Sequence, residues 1–303
     1  MRALVADGAG GAVLKDVPEP PADPGDVVVE VHATSLNRGE LNRLKAAAQG
    51  WRPGWDFAGV VVRAAEEGPA VGARVVGVAE GQAWAERVAV PAGCLAELEE
   101  GLSFTTAAAL PTAGLTALRI LRFPPGTLGR RVVVTGAAGG VGRFAVQLAH
   151  RGGAHVSGVV GRPERARGLA ELGADVVVTD LSQLRPPLDL VLDSVGGESL
   201  ARLATMLDLD GTLVVFGNSS NQPTTFRDVR DFYLGSYRRL QAFTLFHGFR
   251  ADPPGRDLAH LAGLATRGLL EVDVDAVMDW TEIGEALRRL EERTVQGKIV
   301  LTL

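Results

Sequence analysis

The chain has 303 residues, which is enough for one large domain or two domains of ordinary size. Lys and Arg together number 31 and Asp and Glu 36, so the formal net charge of −5 argues against a nucleic-acid partner. Hydrophobic residues make up 46% and charged residues 22% of the chain, as in a folded globular protein. The single cysteine, Cys94, excludes an internal disulfide and a cysteine-rich structural zinc site.

The first residues do not form an apolar stretch followed by a cleavage site, so no signal peptide is expected. The most apolar windows, such as 131–149, are interrupted by glycines and by Arg143, unlike a membrane span. We therefore expect a cytoplasmic protein without a membrane partner.

The first part of the chain is rich in short predicted strands, each bounded by Gly, Pro or Asp: 27–31, 59–63, 74–78 and 86–90. Residues 38–48 can form a helix between the first two of these strands. From 103 to 121 the pattern is helical, with Ser103 as a candidate N-cap and Pro111 forcing a break. The Phe-Pro-Pro-Gly run at 123–126 is the clearest linker in the chain.

After this linker, strands alternate with helices. Strands are predicted at 132–134, 155–160, 176–179, 188–193, 212–216 and 240–245, and helices at 140–152, 164–172, 198–207 and near 227–234. This alternation indicates a parallel sheet with crossover helices, and about six strands is typical of a doubly wound dinucleotide-binding fold. From 255 onward the pattern predicts two more helices and the strands 277–280 and 298–303.

The strongest local signal is the glycine-rich turn that follows the buried strand 132–134 and opens the next helix. Gly139 and Gly140 let the backbone approach a pyrophosphate, and Gly142 lets the helix pack closely on the strand. The first helical N–H groups, together with the helix dipole, attract phosphates. We expect the loop residues Ala138, Gly139, Gly140, Val141 and Gly142 to bind a dinucleotide cofactor.

The end of the next strand discriminates between the two nicotinamide cofactors. A site for NAD places an acidic residue there, to bind the ribose hydroxyls, whereas this chain has Gly161 followed by Arg162 and Arg165. Guanidinium groups bind a 2′-phosphate through paired hydrogen bonds, so NADP(H) is predicted. The alternative is that these arginines only solvate a helix surface, and Glu164 lies close to them.

Several motifs in a fixed order resemble the medium-chain dehydrogenase/reductase superfamily, and within it the zinc-independent quinone oxidoreductase and enoyl reductase branch. The motifs are Leu-Asn-Arg-Gly-Glu at 36–40, Pro-Gly-Trp-Asp-Phe-Ala-Gly at 53–59, Leu-Pro-Thr-Ala-Gly-Leu-Thr at 110–116, the glycine loop, Phe-Gly-Asn-Ser-Ser at 216–220, and Arg-Thr-Val-Gln-Gly-Lys at 293–298. The resemblance runs through the whole chain.

The resemblance implies an α/β protein with two domains. A GroES-like β-barrel catalytic domain built from 1–122 and 246–303 would clasp a Rossmann-type dinucleotide-binding domain at 123–245, with the cofactor in the cleft between them. In relatives, the loop corresponding to Gly217, Asn218 and Ser219 contacts the cofactor, and the residue corresponding to Arg293 pairs with the 2′-phosphate. The main chain of Phe243, Thr244 and Leu245 corresponds to the segment that holds the nicotinamide carboxamide.

The same resemblance speaks against a catalytic metal. Zinc-dependent members carry a Cys and a Gly-His-Glu motif, and the corresponding places here are Asn37 and Gly54-Trp55-Asp56. Tryptophan does not bind zinc, and the five histidines show no metal-ligand spacing. We predict neither zinc nor flavin, and a packing role for Trp55 in place of the lost ligand.

The predicted reaction is hydride transfer to a quinone or to an α,β-unsaturated carbonyl, either an enone or an enoyl thioester. Such a reaction needs an oriented nicotinamide and a donor to the oxygen that gains charge. Candidate donors are Asn37, Asn42, Thr112 and Thr116, none of them a firm proton donor, because Asn42 stands where quinone reductases often carry a tyrosine. Asn37 could instead cap the helix that follows it.

Three further points remain open at the level of sequence. Lys298 could approach the cofactor or be an exposed lysine at a strand edge. The chain could instead be a cofactor-binding protein that has lost catalysis and acts as a sensor or structural protein. Since 240–245 should be the last strand of the parallel sheet, its free edge predicts a homodimer.

Overall fold

The computed structural model describes residues 1–123, 127–228, 230, 237–249 and 251–303. Its contacts divide the chain into two compact units, one formed by Met1–Leu115 with Phe246–Leu303 and the other by Thr116–Leu245. We call them the outer unit and the central unit. The first border lies inside a helix, and the second lies between Leu245 and Phe246.

The outer unit combines strands from both parts of the chain. Its strands are β1 (Arg2–Ala6), β2 (Ala12–Asp16), β3 (Asp26–Ser35), β4 (Asp56–Arg63), β5 (Arg74–Val78), β6 (Arg87–Pro91), β7 (Leu95–Glu97), β14 (Val274–Asp279) and β15 (Lys298–Thr302). Its helices are α1 (Arg38–Leu44), α2 (Phe104–Ala108), the first half of α3 (Pro111–Ile120), α6 (Gly255–Thr266) and α7 (Ile283–Glu291).

Strand β3 is the centre of the outer sheet. It pairs antiparallel with β4 along most of its length, with β6 near its beginning and with β15 near its end. The sheet order is β14-β15-β3-β4-β5-β7, and β1 and β2 form a separate hairpin. Because β15 joins β3, residues at the two ends of the sequence share one core, as predicted for a domain built from both chain ends.

The central unit is the predicted doubly wound parallel sheet. Its elements are β8 (Arg131–Thr135), α4 (Gly140–Arg151), β9 (His155–Val159), β10 (Val176–Val178), β11 (Leu188–Asp193), α5 (Gly197–Thr205), β12 (Leu207–Val215) and β13 (Arg239–Ala242). The strand order is β10-β9-β8-β11-β12-β13, and every pair is parallel. This order reverses direction between β8 and β11, where doubly wound folds bind their ligands.

Helices α2 and α3 begin at the signals predicted for them. Ser103 Oγ accepts a hydrogen bond from the Thr106 N–H at 3.1 Å, and the helical stretch is broken before Pro111, which begins α3. Helix α1 ends at Leu44, earlier than expected, and the chain continues in turns.

The predicted helix at 164–172 is wrong. Only a 3₁₀ turn, Pro163–Ala166, forms there. Arg167 leaves the helical region with ψ at 130°, and Gly168 follows with φ at +76°. The carbonyl of Arg167, which a helix would use internally, instead accepts a hydrogen bond from the buried Arg143 guanidinium at 3.2 Å. The helix predicted near 227–234 lies largely outside the described residues.

Candidate active site

The glycine turn after β8 is shaped by contacts that exclude side chains. Gly136 adopts φ at +62°, a conformation that favours glycine. A Cβ atom on Gly142 would lie 2.4 Å from the Gly136 carbonyl oxygen, so only glycine fits where the helix crosses the turn. Gly139 is the N-cap of α4 and has no side chain to satisfy the first N–H groups.

The start of helix α4 therefore has the features of an anion site. The Gly139 N–H bonds to the Gly136 carbonyl at 2.9 Å, and the N–H of Arg143 continues the helix. Within the described part of the chain, the N–H groups of Gly140, Val141 and Gly142 have no hydrogen-bond acceptor. Free N–H groups on a helix N-terminus suit a phosphate, so these residues fit the pyrophosphate of a dinucleotide.

The segment after β9 leaves room for a charged group. Gly161 is exposed, and no atom of the described residues lies within 4 Å of the place where a Cβ would stand on it. Arg162 is exposed and Arg165 half-buried, with the 3₁₀ turn Pro163–Ala166 joining them. Gly161 stands where an NAD site carries an acid, and the two arginines beside it suit a 2′-phosphate, although Glu164 lies between them in the same turn.

The loops after β8, β11 and β12 meet through Ser194. Its Oγ donates to the Thr135 carbonyl at 3.1 Å, and its N–H donates to the Thr135 hydroxyl oxygen at 3.0 Å. Its own carbonyl accepts from the Ser219 N–H at 2.9 Å. The structure thus brings the predicted Gly217–Ser219 loop next to the glycine turn, at the carboxyl ends of the strands.

Asp193, the last residue of β11, holds the ends of β8 and β11 together. This carboxylate is fully buried, accepts from Thr135 Oγ1 at 2.8 Å and caps the Gly196 N–H at 2.8 Å. Burial raises the pKa of Asp193 above its usual range, against the effect of these hydrogen bonds. No sequence motif singled out Asp193 or Ser194, and only their position at the end of a buried strand could have indicated them.

The last parallel strand is shorter than predicted and ends at Ala242. The Phe243 N–H still donates to the Val215 carbonyl at 2.9 Å, so the main chain follows β12 for one more residue. Thr244 is exposed and Leu245 buried. These residues are the ones predicted to hold the nicotinamide carboxamide. They follow the edge strand β13, which pairs with β12, the strand that leads into the Gly217–Ser219 loop.

In the outer unit, a fully buried carboxylate organises the polar residues. Asp56 Oδ1 accepts from the Thr112 N–H at 2.8 Å and from the Thr112 hydroxyl at 2.5 Å. Asp56 Oδ2 accepts from Ser35 Oγ at 2.7 Å, from Asn37 Nδ2 at 2.8 Å and from Lys298 Nζ at 3.1 Å. Asp56 thereby joins β3, β4, the start of α3 and β15. We call these residues, with Glu40, the Asp56 cluster.

Glu40 extends the Asp56 cluster to helix α1. Its Oε2 accepts from the Asn37 N–H at 2.8 Å and from Asn37 Nδ2 at 3.2 Å, and its Oε1 accepts from the Trp55 N–H at 2.8 Å. Burial and the neighbouring charge of Asp56 raise the pKa of Glu40 to about 8, although Lys298 and the Asn37 hydrogen bonds act in the opposite direction.

Lys298 is not an exposed lysine at a strand edge. Its side chain is 4% exposed, and β15 lies between β14 and β3. Besides Asp56, the ammonium donates to Asn37 Oδ1 at 2.6 Å and to the Leu36 carbonyl at 2.9 Å. A buried ammonium is stable only with such partners, and the buried carboxylate of Asp56 supplies the opposite charge.

The structure brings together only two of the predicted substrate-orienting residues. Asn37 and Thr112 meet at Asp56, and both side chains already donate to it. Asn42 is exposed on α1, and Thr116 is buried in the half of α3 that belongs to the central unit. Arg293 lies in the outer unit in a left-handed turn, with φ at +58°.

Trp55 is buried beside the Asp56 cluster, with its ring 4.9 Å from that of Phe246. Among the described residues, no set of three or more His, Cys, Asp or Glu side chains is arranged to hold a metal ion. Likewise, no helix in the described ranges is long and apolar enough to cross a membrane.

Comparison with known proteins gives matches across the whole chain. The alcohol dehydrogenase GroES-like domain matches residues 23–118, and the zinc-binding dehydrogenase family matches residues 172–301. The rat synaptic vesicle membrane protein VAT-1 homolog is 30% identical, and the alignment covers 99% of this chain and 84% of that protein. The probable acrylyl-CoA reductase AcuI of Escherichia coli K12 is 31% identical, and the alignment covers 72% of this chain and 74% of that protein.

A solved structure, the quinone oxidoreductase from Coxiella burnetii, superimposes with a TM-score of 0.87 at 26% identity. The alignment covers 100% of this chain and 99% of that one. Together with the family matches, it confirms the predicted combination of a GroES-like domain with a doubly wound parallel sheet.

Proposed function

This chain belongs to the medium-chain dehydrogenase/reductase superfamily, and we propose that it is an NADPH-dependent reductase of quinones or of α,β-unsaturated carbonyl compounds. The observation that carries the proposal is the glycine turn at the switch point of the parallel sheet, where three N–H groups of α4 have no acceptor among the described residues. Relatives named as a quinone oxidoreductase and as a probable acrylyl-CoA reductase support the acceptor classes.

The cofactor preference rests on charge. Gly140, Val141 and Gly142 would hold the pyrophosphate, and Arg162 and Arg165 would bind the 2′-phosphate where an NAD site carries an acid. Arg293 and the segments 217–219 and 243–245 complete the proposed cofactor contacts. When bound, NADPH supplies the hydride, so the protein needs no flavin.

The protein's part in the reaction is to orient the acceptor and to stabilise the charge that develops on its oxygen. Both quinones and enones accept hydride at a carbon conjugated with a carbonyl group, and the same site can therefore serve both. Asn37 and Thr112 hold Asp56 in place, which makes them positioning residues in this proposal.

The proposed reaction also uses no zinc. At the positions that correspond to zinc ligands, the indole of Trp55 cannot coordinate a metal, and Asp56 already accepts from Ser35, Thr112 and Lys298. This donor set does not fit a metal ion, so no step of the proposal passes through one.

We propose in addition a homodimer formed through β13. All four residues of β13 are exposed, and Leu240 on the strand and the nearby Tyr237 are 47% and 82% exposed. A free parallel edge with apolar side chains favours pairing with the same edge of a second copy.

The test of function is NADPH oxidation by the purified protein with a simple quinone, an enone and an enoyl-CoA thioester, with NADH in parallel. We expect turnover with at least one acceptor and NADPH binding at least tenfold tighter than NADH, a difference of about 1.4 kcal/mol. Equal affinities for the two cofactors would contradict the role of Arg162 and Arg165. Tight NADPH binding without turnover would favour the second candidate, a sensor or structural protein that has lost catalysis.

A further inference from the structure

The indole N–H of Trp55 is buried and has no acceptor. The residue is 6% exposed, and its Nε1 atom has no hydrogen-bond partner in the described part of the chain. A buried donor without an acceptor destabilises a protein by about 1–3 kcal/mol. Such a donor is therefore available to any oxygen that can reach it.

The position of this ring is fixed from helix α1. A Cβ on Gly39 would lie 2.5 Å from Cη2 of Trp55, so only glycine lets the ring pack against the helix. Glu40 holds the Trp55 main chain through a 2.8 Å hydrogen bond, and the ring of Phe246 packs at 4.9 Å. The indole is thus held rigidly while its N–H is left unsatisfied, which is the arrangement a preorganised donor requires.

Arg43 covers one face of this ring. The guanidinium of Arg43 lies 5.2 Å from the ring centroid, and the Arg43 side chain is exposed. Among the described residues, the Arg43 guanidinium forms no hydrogen bond or ion pair, so a cation–π contact alone holds it. That contact contributes about 0.5–1 kcal/mol at an exposed site, and an incoming ligand can displace it.

We propose that Trp55 is a catalytic residue whose Nε1–H donates to the carbonyl oxygen of the acceptor. This inference rests on the proposed reductase function. Hydride from NADPH forms a C–H bond at the conjugated carbon, the carbonyl π electrons move to the oxygen, and NADPH becomes NADP⁺. The indole N–H stabilises the resulting oxyanion without giving up its proton, because tryptophan is a donor only. Water then supplies the proton that completes the reduced product.

The test compares Trp55→Phe with Trp84→Phe. Both indoles are buried and have an unpartnered N–H, but Trp84 lies in the apolar core with Leu4, Leu41 and Leu44. Each substitution keeps an aromatic ring and removes the donor. We expect Trp55→Phe to lower kcat about 10- to 100-fold, below the 10²–10³ typical of a lost oxyanion-hole donor, because an indole is a neutral single donor. NADPH affinity and Tm should stay near those of Trp84→Phe, whose kcat should match the unsubstituted protein.

A second measurement separates this inference from the proposed function. The dissociation constant of a simple quinone is measured by calorimetry in the presence of NADP⁺ for all three proteins. Weaker quinone binding in Trp55→Phe alone would support the donor even if no acceptor turns over. Equal kcat and equal quinone affinity in the three proteins, or no quinone binding at all, would overturn it. Equal losses of kcat in both variants would also overturn it, because they would reveal a packing effect.

Discussion

Replacing Glu40 with glutamine should change how the stability of the protein depends on pH. Glu40 is fully buried, and its neighbour Asp56 carries a like charge, so the folded protein resists ionising it. Glutamine has nearly the same shape and cannot ionise. It keeps one oxygen acceptor but presents an amide where Glu40 accepts from Trp55 or from Asn37.

The magnitude follows from proton linkage. The pKa of Glu40 is about 8 in the folded protein, against 4.5 for an ordinary glutamate. Between these values the folded state holds a proton that the unfolded state has released. The free energy of unfolding therefore falls as pH rises, by about 1.4 kcal/mol per pH unit from this group. The lost hydrogen bond in Glu40→Gln adds a destabilisation of about 1–3 kcal/mol that does not depend on pH.

The assay is urea unfolding at several pH values between 5 and 7.5 at constant ionic strength. The unfolding free energy of the unsubstituted protein minus that of Glu40→Gln should fall steadily with pH, close to the slope above. The exposed Glu171→Gln variant is the control and should run parallel to the unsubstituted protein. Parallel profiles for Glu40→Gln would refute the reasoning, because they would mean that Glu40 is ionised throughout this range.

Four further outcomes are expected. Lys298→Met should lower the free energy of unfolding by about 3–5 kcal/mol in urea titrations, because it leaves the buried carboxylate of Asp56 without its ammonium. The exposed Lys45→Met should change it by less than about 1 kcal/mol. In fluorescence titrations, Gly161→Asp should weaken NADPH binding more than tenfold and NADH binding little, while the uncharged Gly161→Asn should weaken the binding of both cofactors alike. If Gly161→Asp weakened the binding of both cofactors equally, this would contradict the phosphate site. Ala242→Pro removes an N–H that points away from β12, because the N–H of the next residue, Phe243, is the one that bonds to β12. Light scattering should therefore show the mass of this variant falling towards 31.8 kDa while its far-UV dichroism stays unchanged. If the unsubstituted protein is already a monomer, the proposed dimer is refuted. Treatment with a strong chelator should leave Tm and activity unchanged, and stoichiometric zinc in the purified protein would contradict this.

The parts of the fold that depend on local pattern could be predicted from sequence. The parallel sheet of six strands follows from strands alternating with helices, and the break at Pro111 follows from the missing N–H of proline. The hairpin of β1 and β2 was not predicted, since β1 is an uninterrupted apolar run without alternation. The missing helix at 164–172 depends on Arg143, which reaches the Arg167 carbonyl from another helix, and no local pattern carries that information.

In the candidate site, too, the local features could be predicted from sequence and the long-range contacts could not. The glycine turn is visible in sequence because its residues are consecutive and each glycine has a steric reason. Glu40 follows Asn37 at the spacing of a capping box, so that signal was available. The burial of Lys298 could not be predicted from sequence, because its partner Asp56 lies 242 residues away and only the pairing of β15 with β3 brings them together.

That long separation has a consequence for the order of folding. The central unit consists of one continuous stretch, Thr116–Leu245, so the parallel sheet can assemble once those residues leave the ribosome. The outer unit must wait for β15, and until then Asp56 has no ammonium to offset its charge. A nascent chain that stops before Lys298 should therefore carry a finished central sheet beside an unfinished outer one, and be open to chaperones and proteases at that stage.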